Sequence, residues 1–373
     1  MSCLRSDENM VLNMSIKIYR LMYFTLVILL LVEVGLEFRA YYKGWNTILG
    51  KLLNVAPASE QGNINQVHFG PTKDFPFRSV VVPFEKDPKF SRLWIASSSY
   101  AQDNYLHPYQ IFPNLLGAQL NQSDFPVQIL NAAQEGQSIE GSVRVLKEIG
   151  KQWKPSYVLL YQMNLDINEL SQQFCSDHFL RSITVHNTDQ QKTSLNPKLY
   201  WGEPFIESTT VYQLLKENVT ARISQSRILV QDIGEKARDA FRQRIYNFIN
   251  TSRSIGAIPL LCTFATSHDR HHPGNIPAGV KDFLLRYNIY LSVSGWFNAI
   301  DQFNDDIRQI GKEKNVLVID VNHYLSGKPE FFRDFVHFTP EGHKMMAQLI
   351  ADKLVENRGL LLKAALNADQ SKL

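Results

Sequence analysis

Asp334-Phe335-Val336-His337-Phe338-Thr339-Pro340-Glu341-Gly342-His343 closes a strand–loop–helix unit that opens with the apolar run Val316–Asp320, VLVID. An acid stands three residues before a histidine, and a helix start lies directly behind them. Thr339 suits an N-cap, and Pro340 suits the first helical position, where its missing N–H would have no acceptor to serve. Met345, Met346, Leu349, Ile350 and Leu354 keep helical spacing over Glu341–Val355. His337 is thus expected on a short loop pinned by a helix N-terminus, with Asp334 close enough to orient its ring. Such a pair supplies two members of a nucleophilic triad and calls for a serine upstream. The plain alternative is a surface loop that happens to hold both residues.

Working outward, short apolar runs alternate with helical patterns. Leu93–Ala96 ends in Ser97-Ser98-Ser99, Val127–Leu130 ends at Asn131, and Tyr157–Tyr161 (YVLLY) ends at Gln162-Met163-Asn164. Ala257–Phe264 (AIPLLCTF) is a fourth strand and Val316–Asp320 a fifth. Helices are expected at Ile111–Leu120, Ile139–Ile149, Asp232–Ile249 and Ser294–Lys312, and at the final Glu341–Val355. Apolar strands separated by longer helices indicate a parallel sheet covered on both faces. Residues 165–230, rich in Asn and Gln, read as an insertion that shapes a substrate pocket. A strand is expected at Ser79–Val82, within a proline-spaced lead-in.

The 373 residues carry a net charge of +3, with 20% charged and 44% apolar side chains, enough apolar material for a sizeable core. That charge is too small to argue for nucleic acid, and no Lys/Arg run interleaves with aromatics. Three cysteines, Cys3, Cys175 and Cys262, have no metal-ligand spacing and make no disulfide framework. Cys175 and Cys262 read as inert free thiols, with a bridge between them as the alternative. Leu21–Val32 (LMYFTLVILLLV) is uninterrupted apolar sequence, continued at Val34–Leu36. Ahead of a polar linker, and without a good cleavage site, it reads as one N-terminal transmembrane helix. Arg5, Lys17 and Arg20 precede it while Arg39, Lys43 and Lys51 follow, so the flanking charge is nearly balanced. A single-pass protein with its main domain outside the cytoplasm is the expectation. The chain then divides into a tail (1–20), an anchor (21–36), a linker and lead-in (37–90), the α/β domain (91–358) and a closing tail (359–373).

In an open parallel sheet, ligands bind beyond the carboxyl ends of the strands. Ser97–Ser99, Gly136, Asn164 and the Asp334/His337 loop all follow such ends. A serine nucleophile needs a base, the base an orienting acid, and the developing oxyanion fixed donors. Each residue also has a plainer use, in a turn or a helix cap. His268-Asp269-Arg270-His271-His272 follows the fourth strand onto the same rim, as a solvated or substrate-contacting loop. It lacks the spacing of a metal site, so no metal and no cofactor are expected. His343, on the final helix, reads as a surface or internally satisfied histidine.

These blocks resemble the SGNH (GDSL-type) hydrolase superfamily over about residues 92 to 355. The Ser97–Ser99 run resembles its Gly-Asp-Ser turn, Asn131–Ser138 its second block with the glycine at Gly136, and Gln162–Leu165 its third with the asparagine at Asn164. Asp334 and His337 match its Asp-x-x-His block in full. The resemblance implies a flavodoxin-like three-layer α/β/α fold with a parallel sheet of about five strands, and a serine esterase. Ser99 would be the nucleophile in one register and Ser98 in the other, with Ser99 preferred. His337 would be the base and Asp334 its orienting acid. Gly136, Asn164 and the serine N–H would form the oxyanion hole. The first block lacks Gly and Asp, and Leu165 replaces the acid of the third. The expected substrate is an acyl ester, an acylated glycan being one form. The alternatives are an O-acyltransferase acting on an envelope glycan and an inactive scaffold of this fold.

Overall fold

In the computed structural model, the described residues are 19–35, 68–123, 125–186, 229–270, 276–277, 280–281, 284–285 and 290–361. The chain divides into two compact units, Met1–Ala58 with Thr193–Thr220, and Ser59–Lys192 with Ala221–Leu373. Of the first unit, residues 19–35 are described. They are helical, and apolar side chains such as Leu21, Ile28 and Leu31 are exposed. This helix covers most of the expected anchor, 21–36. Among the described residues no helix is long and apolar enough to cross a membrane, so the expected transmembrane helix is not found among them.

The second unit is built on five parallel strands: β1 (Ser91–Ser97), β2 (Val127–Asn131), β3 (Tyr157–Tyr161), β4 (Ile258–Cys262) and β5 (Leu317–Ile319). Their order is β2-β1-β3-β4-β5. Every side chain of β3 is buried, as is all of β1 except Ser91, because helices cover both faces. The helices are α1 (Ser99–Gln102), α2 (Phe112–Gln122) and α3, which runs from Ile139–Val145 through Leu146–Gly150 to Lys151–Trp153. They continue with α4 (Asn164–His186), α5 (Glu235–Ser254), α6 (Val293–Lys314), α7 (Val321–Leu325) and α8 (Pro340–Glu356). The chain leaves β1 toward β2 on one side and returns past β1 to β3 on the other. That reversal opens a crevice at the carboxyl ends of β1 and β3, the usual ligand position in this topology. Helices α2 and α8 pack against each other, while α5 packs on α3, α4 and α6.

The elements lie close to those expected. The expected strand at Ser79–Val82 does not form. A single antiparallel bridge joins Phe69 to Val80, since Pro71, Pro76 and Pro83 remove the N–H groups a ladder needs. The stretch is instead packed into the domain. Phe75 and Phe77 are buried against Trp153, and Phe77 also packs edge-on against Trp94. Residues 165–186, weakly patterned in sequence, continue the long helix α4, and 187–228 lie outside the described residues. Cys175 and Cys262 are free and buried; Cys3 lies outside the described residues.

Candidate active site

The end of β1 separates the three serines. Ser97 donates its hydroxyl to the Tyr161 carbonyl at 2.6 Å, tying β1 to β3. Ser98 is the buried N-cap of α1, its carbonyl accepting from the Ala101 and Gln102 N–H groups. Ser99, the first residue of α1, places its Oγ 2.8 Å from His337 Nε2. The expected alternative, Ser98, therefore does not face the histidine; the side-chain direction changes where strand passes into helix. Of the two serines, Ser99 is the one whose Oγ lies within hydrogen-bond distance of His337.

His337 Nδ1 lies 2.7 Å from Asp334 Oδ2. The other carboxylate oxygen accepts the Val336 and His337 N–H groups at 2.9 and 2.8 Å, a local turn that holds the acid under the ring. A carboxylate at Nδ1 places the proton there and leaves Nε2 to accept from Ser99. Burial by itself would raise the Asp334 pKa. The charge and hydrogen bond of His337, with Arg333 close by, outweigh it and hold the carboxyl below its ordinary value. Behind the loop, Thr339 caps α8 by accepting from Gly342 N–H at 3.1 Å, as its sequence context predicts. Its own N–H donates to the Phe331 carbonyl, and Ser267 N–H donates to the Phe335 carbonyl from the β4 side. Tyr100 lies against the His337 ring with centroids 5.6 Å apart, and is itself packed on Phe264.

The two expected oxyanion donors stand at the ends of β2 and β3. Gly136 is exposed in the loop after β2, at φ +71°, where an added Cβ would meet no neighbour but would be strained by its backbone. Asn164 is buried at the start of α4. Its Oδ1 is buried without a hydrogen bond. The Gly136 loop is fixed to the serine turn, since Gln102 Oε1 accepts Glu135 N–H and Asn104 Nδ2 donates to Glu135 Oε1 at 2.8 Å. Gln134 N–H also donates to the Ser97 carbonyl at 3.4 Å. Beside this loop lies a cleft of about 510 Å³ between Pro71, Pro76 and Ala133. Its polar wall, Arg78, Gln102, Asn104 and Glu135, is largely engaged in bonds within the protein.

Several supporting residues carried no signal in the sequence. Arg78 is buried and donates to the carbonyls of Gln102, Asp103 and Leu106, bracing the chain just after Ser99. Asp166, one residue past the position searched for an acid, accepts Ile139 N–H at the start of α3 and pairs with Arg244 at 2.6 Å. It thereby locks the Gly136 loop's following helix to α4 and α5. His343 is buried and satisfied, one of the two states expected: Nδ1 accepts Phe112 N–H at 3.1 Å and Nε2 lies 3.2 Å from Asp103 Oδ2. These contacts join residues more than 200 positions apart, which no local pattern reports. His268 bonds its neighbour Ser267, Arg270 pairs with Asp301 on α6, and His271 and His272 lie outside the described residues. Among the described residues, no group of three His, Cys, Asp or Glu could hold a metal ion.

No protein-family model matches the chain, and no curated protein does. Among solved structures it is similar to a lipase/acylhydrolase from Enterococcus faecalis, with 14% identity over 72% of this chain and 97% of that one and a TM-score of 0.41. An acetyl xylan esterase matches at 13% identity and a TM-score of 0.40, over 69% of this chain and 97% of its own. A GDSL-like lipase from Bacteroides thetaiotaomicron matches at 10% identity and a TM-score of 0.40, over 74% of this chain and 93% of its own.

Proposed function

We propose that the chain is a serine-dependent carboxylic-ester hydrolase that works through an acyl-enzyme on Ser99. The observation that carries this reading is the unbroken relay Ser99 Oγ, His337 Nε2, His337 Nδ1, Asp334 Oδ2, with both links under 3 Å. Ser99 Oγ attacks the acyl carbonyl carbon while its proton passes to His337 Nε2. Asp334 holds the ring in the accepting tautomer and stabilises the imidazolium. The carbonyl oxygen becomes an oxyanion, met by the N–H groups of Ser99 and Gly136 and by the Asn164 amide. Collapse breaks the ester C–O bond, and His337 returns the proton to the leaving alcohol. Water then repeats the sequence, with His337 as base, and releases the acid. Removing one oxyanion donor costs on the order of a hundredfold in turnover.

A fluorophosphonate probe tests the reading. The wild-type chain should be labelled on Ser99, Ser98→Ala should still be labelled, and Ser99→Ala and His337→Ala should not. Full labelling of Ser99→Ala would sink the assignment. Turnover of p-nitrophenyl acetate separates an enzyme from an inactive scaffold. The same acyl-enzyme could pass its acyl group to a sugar hydroxyl, and acetyl transfer to an oligosaccharide reads that directly. The apolar run at Leu21–Val32, with its side chains exposed, supports a membrane-bound location. Retention of the full chain in carbonate-washed membranes, and release on deleting residues 1–36, is the expected result; an unchanged distribution would exclude it.

A further inference from the structure

The geometry points to Arg333 as a positioning residue, a clamp that sets the Ser99–His337 distance through Asp103. The inference rests on the esterase reading above. Arg333 reaches both ends of the relay. Its backbone N–H donates to the His337 carbonyl at 2.8 Å, closing the Asp334–His337 turn. Its Nη1 lies 3.3 and 3.4 Å from the two oxygens of Asp103. Asp103 in turn terminates the serine helix, donating its N–H to the Ser99 carbonyl at 2.8 Å from a left-handed backbone, φ +30°. A four-residue helix is held by few bonds of its own, so Ser99 depends on this fixed end together with the Arg78 bonds to the carbonyls that follow it.

Asp103 is itself rigidly framed. Its side chain is fully buried, and His343 from α8 supplies the second donor, 3.2 Å away. His343 Nδ1 accepts Phe112 N–H, so the proton sits on Nε2 and the ring is neutral toward Asp103. Two guanidinium groups then stand near the buried carboxylate: Arg78, whose Nη1 donates to the Asp103 carbonyl at 3.1 Å, and Arg333, which faces the carboxylate itself and lies over the Tyr105 ring with 12% of its side chain exposed. A single nitrogen, Nη1, faces both carboxylate oxygens, so the contact depends on where the guanidinium is held. The clamp spans the two loops whose relative position decides whether Nε2 reaches Oγ, and misplacement by about 1 Å can cost a hundredfold in rate.

The test uses the full chain with Arg333→Ala and Arg333→Lys, read by p-nitrophenyl acetate kinetics and by the downfield proton resonance of His337 Nδ1–H. Arg333→Ala should lose about a hundredfold in kcat with little change in KM. Millimolar guanidinium chloride should restore it several-fold, and Arg333→Lys should fall between. The Nδ1–H resonance should shift or broaden in Arg333→Ala and recover with guanidinium. Wild-type kcat in Arg333→Ala, or a loss that guanidinium does not restore in a variant with wild-type circular dichroism, would overturn the clamp. An unchanged resonance would overturn it too, whether or not the chain turns over ester. If Arg333→Ala does not fold, the same readings on Arg333→Lys decide. Loss of wild-type labelling by fluorophosphonate, with the resonance still sensitive to Arg333, would overturn the esterase reading and leave the clamp standing.

Discussion

Three consecutive serines close β1 and meet three different fates, because the chain turns from strand to helix between them. Ser97 bonds across to β3, Ser98 caps α1 from inside, and Ser99 alone is bonded to His337 Nε2. The acid end of the relay depends on equally local chemistry. Asp334 accepts two backbone N–H groups and faces Nδ1, so it fixes both the turn and the tautomer. Asp334→Asn keeps the shape but presents an amide to Nδ1 and favours the wrong tautomer. A kcat lower by on the order of 10⁴, with the fold intact by circular dichroism, is expected. Retention of activity within tenfold would mean that Asp334 only shapes the loop.

At the scale of elements, α8 does more than cover the sheet. Its N-terminus fixes the His337 loop through Thr339, and its first turn passes so near Phe331 that only glycine fits at 342. A Cβ at Gly342 would stand 2.0 Å from the Phe331 carbonyl oxygen, which is backbone and cannot swing aside. Gly342→Ala should destabilise the domain by about 1–3 kcal/mol, measured by urea unfolding, and slow fluorophosphonate labelling as the loop shifts. Unchanged stability would show that helix and loop slide freely past each other. The sequence announces this helix through Thr339 and Pro340, but it does not announce the close approach that makes Gly342 necessary.

For the molecule as a whole, the buried Asp103 couples the fold to pH. Burial alone would raise its pKa, yet the His343 hydrogen bond and the Arg333 charge outweigh it and bring it from 3.8 to about 2. A carboxyl depressed in the folded state contributes stability that is complete above its unfolded pKa and lost as pH falls through the folded one. The window is therefore about pH 4 down to about 2, and the contribution is about 2 kcal/mol. Urea unfolding at pH 6 and pH 3 should show a larger acid loss in the wild type than in Asp103→Asn. Equal losses would mean that Asp103 has no part in the acid transition.

Much of this protein was legible before folding. Strand and helix periodicities, the Thr339–Pro340 helix start and the Asp334/His337 spacing are local properties, set by side-chain pattern and backbone chemistry within a few residues. Two serine registers remained open, because the direction of a side chain at a strand–helix junction depends on how the sheet is packed. Arg78, Asp103 and Asp166 were silent, and His343 was left between surface and interior, for a related reason. Each is polar and buried, a state that costs free energy unless distant groups arrive to bond it. Those groups lie on other elements, up to 240 residues away in the pairing of Asp103 with His343. Local pattern settled which elements form and where an acid and a base stand together. Only the tertiary structure decided which serine meets them, because that contact exists only when separate strand ends are brought to one crevice.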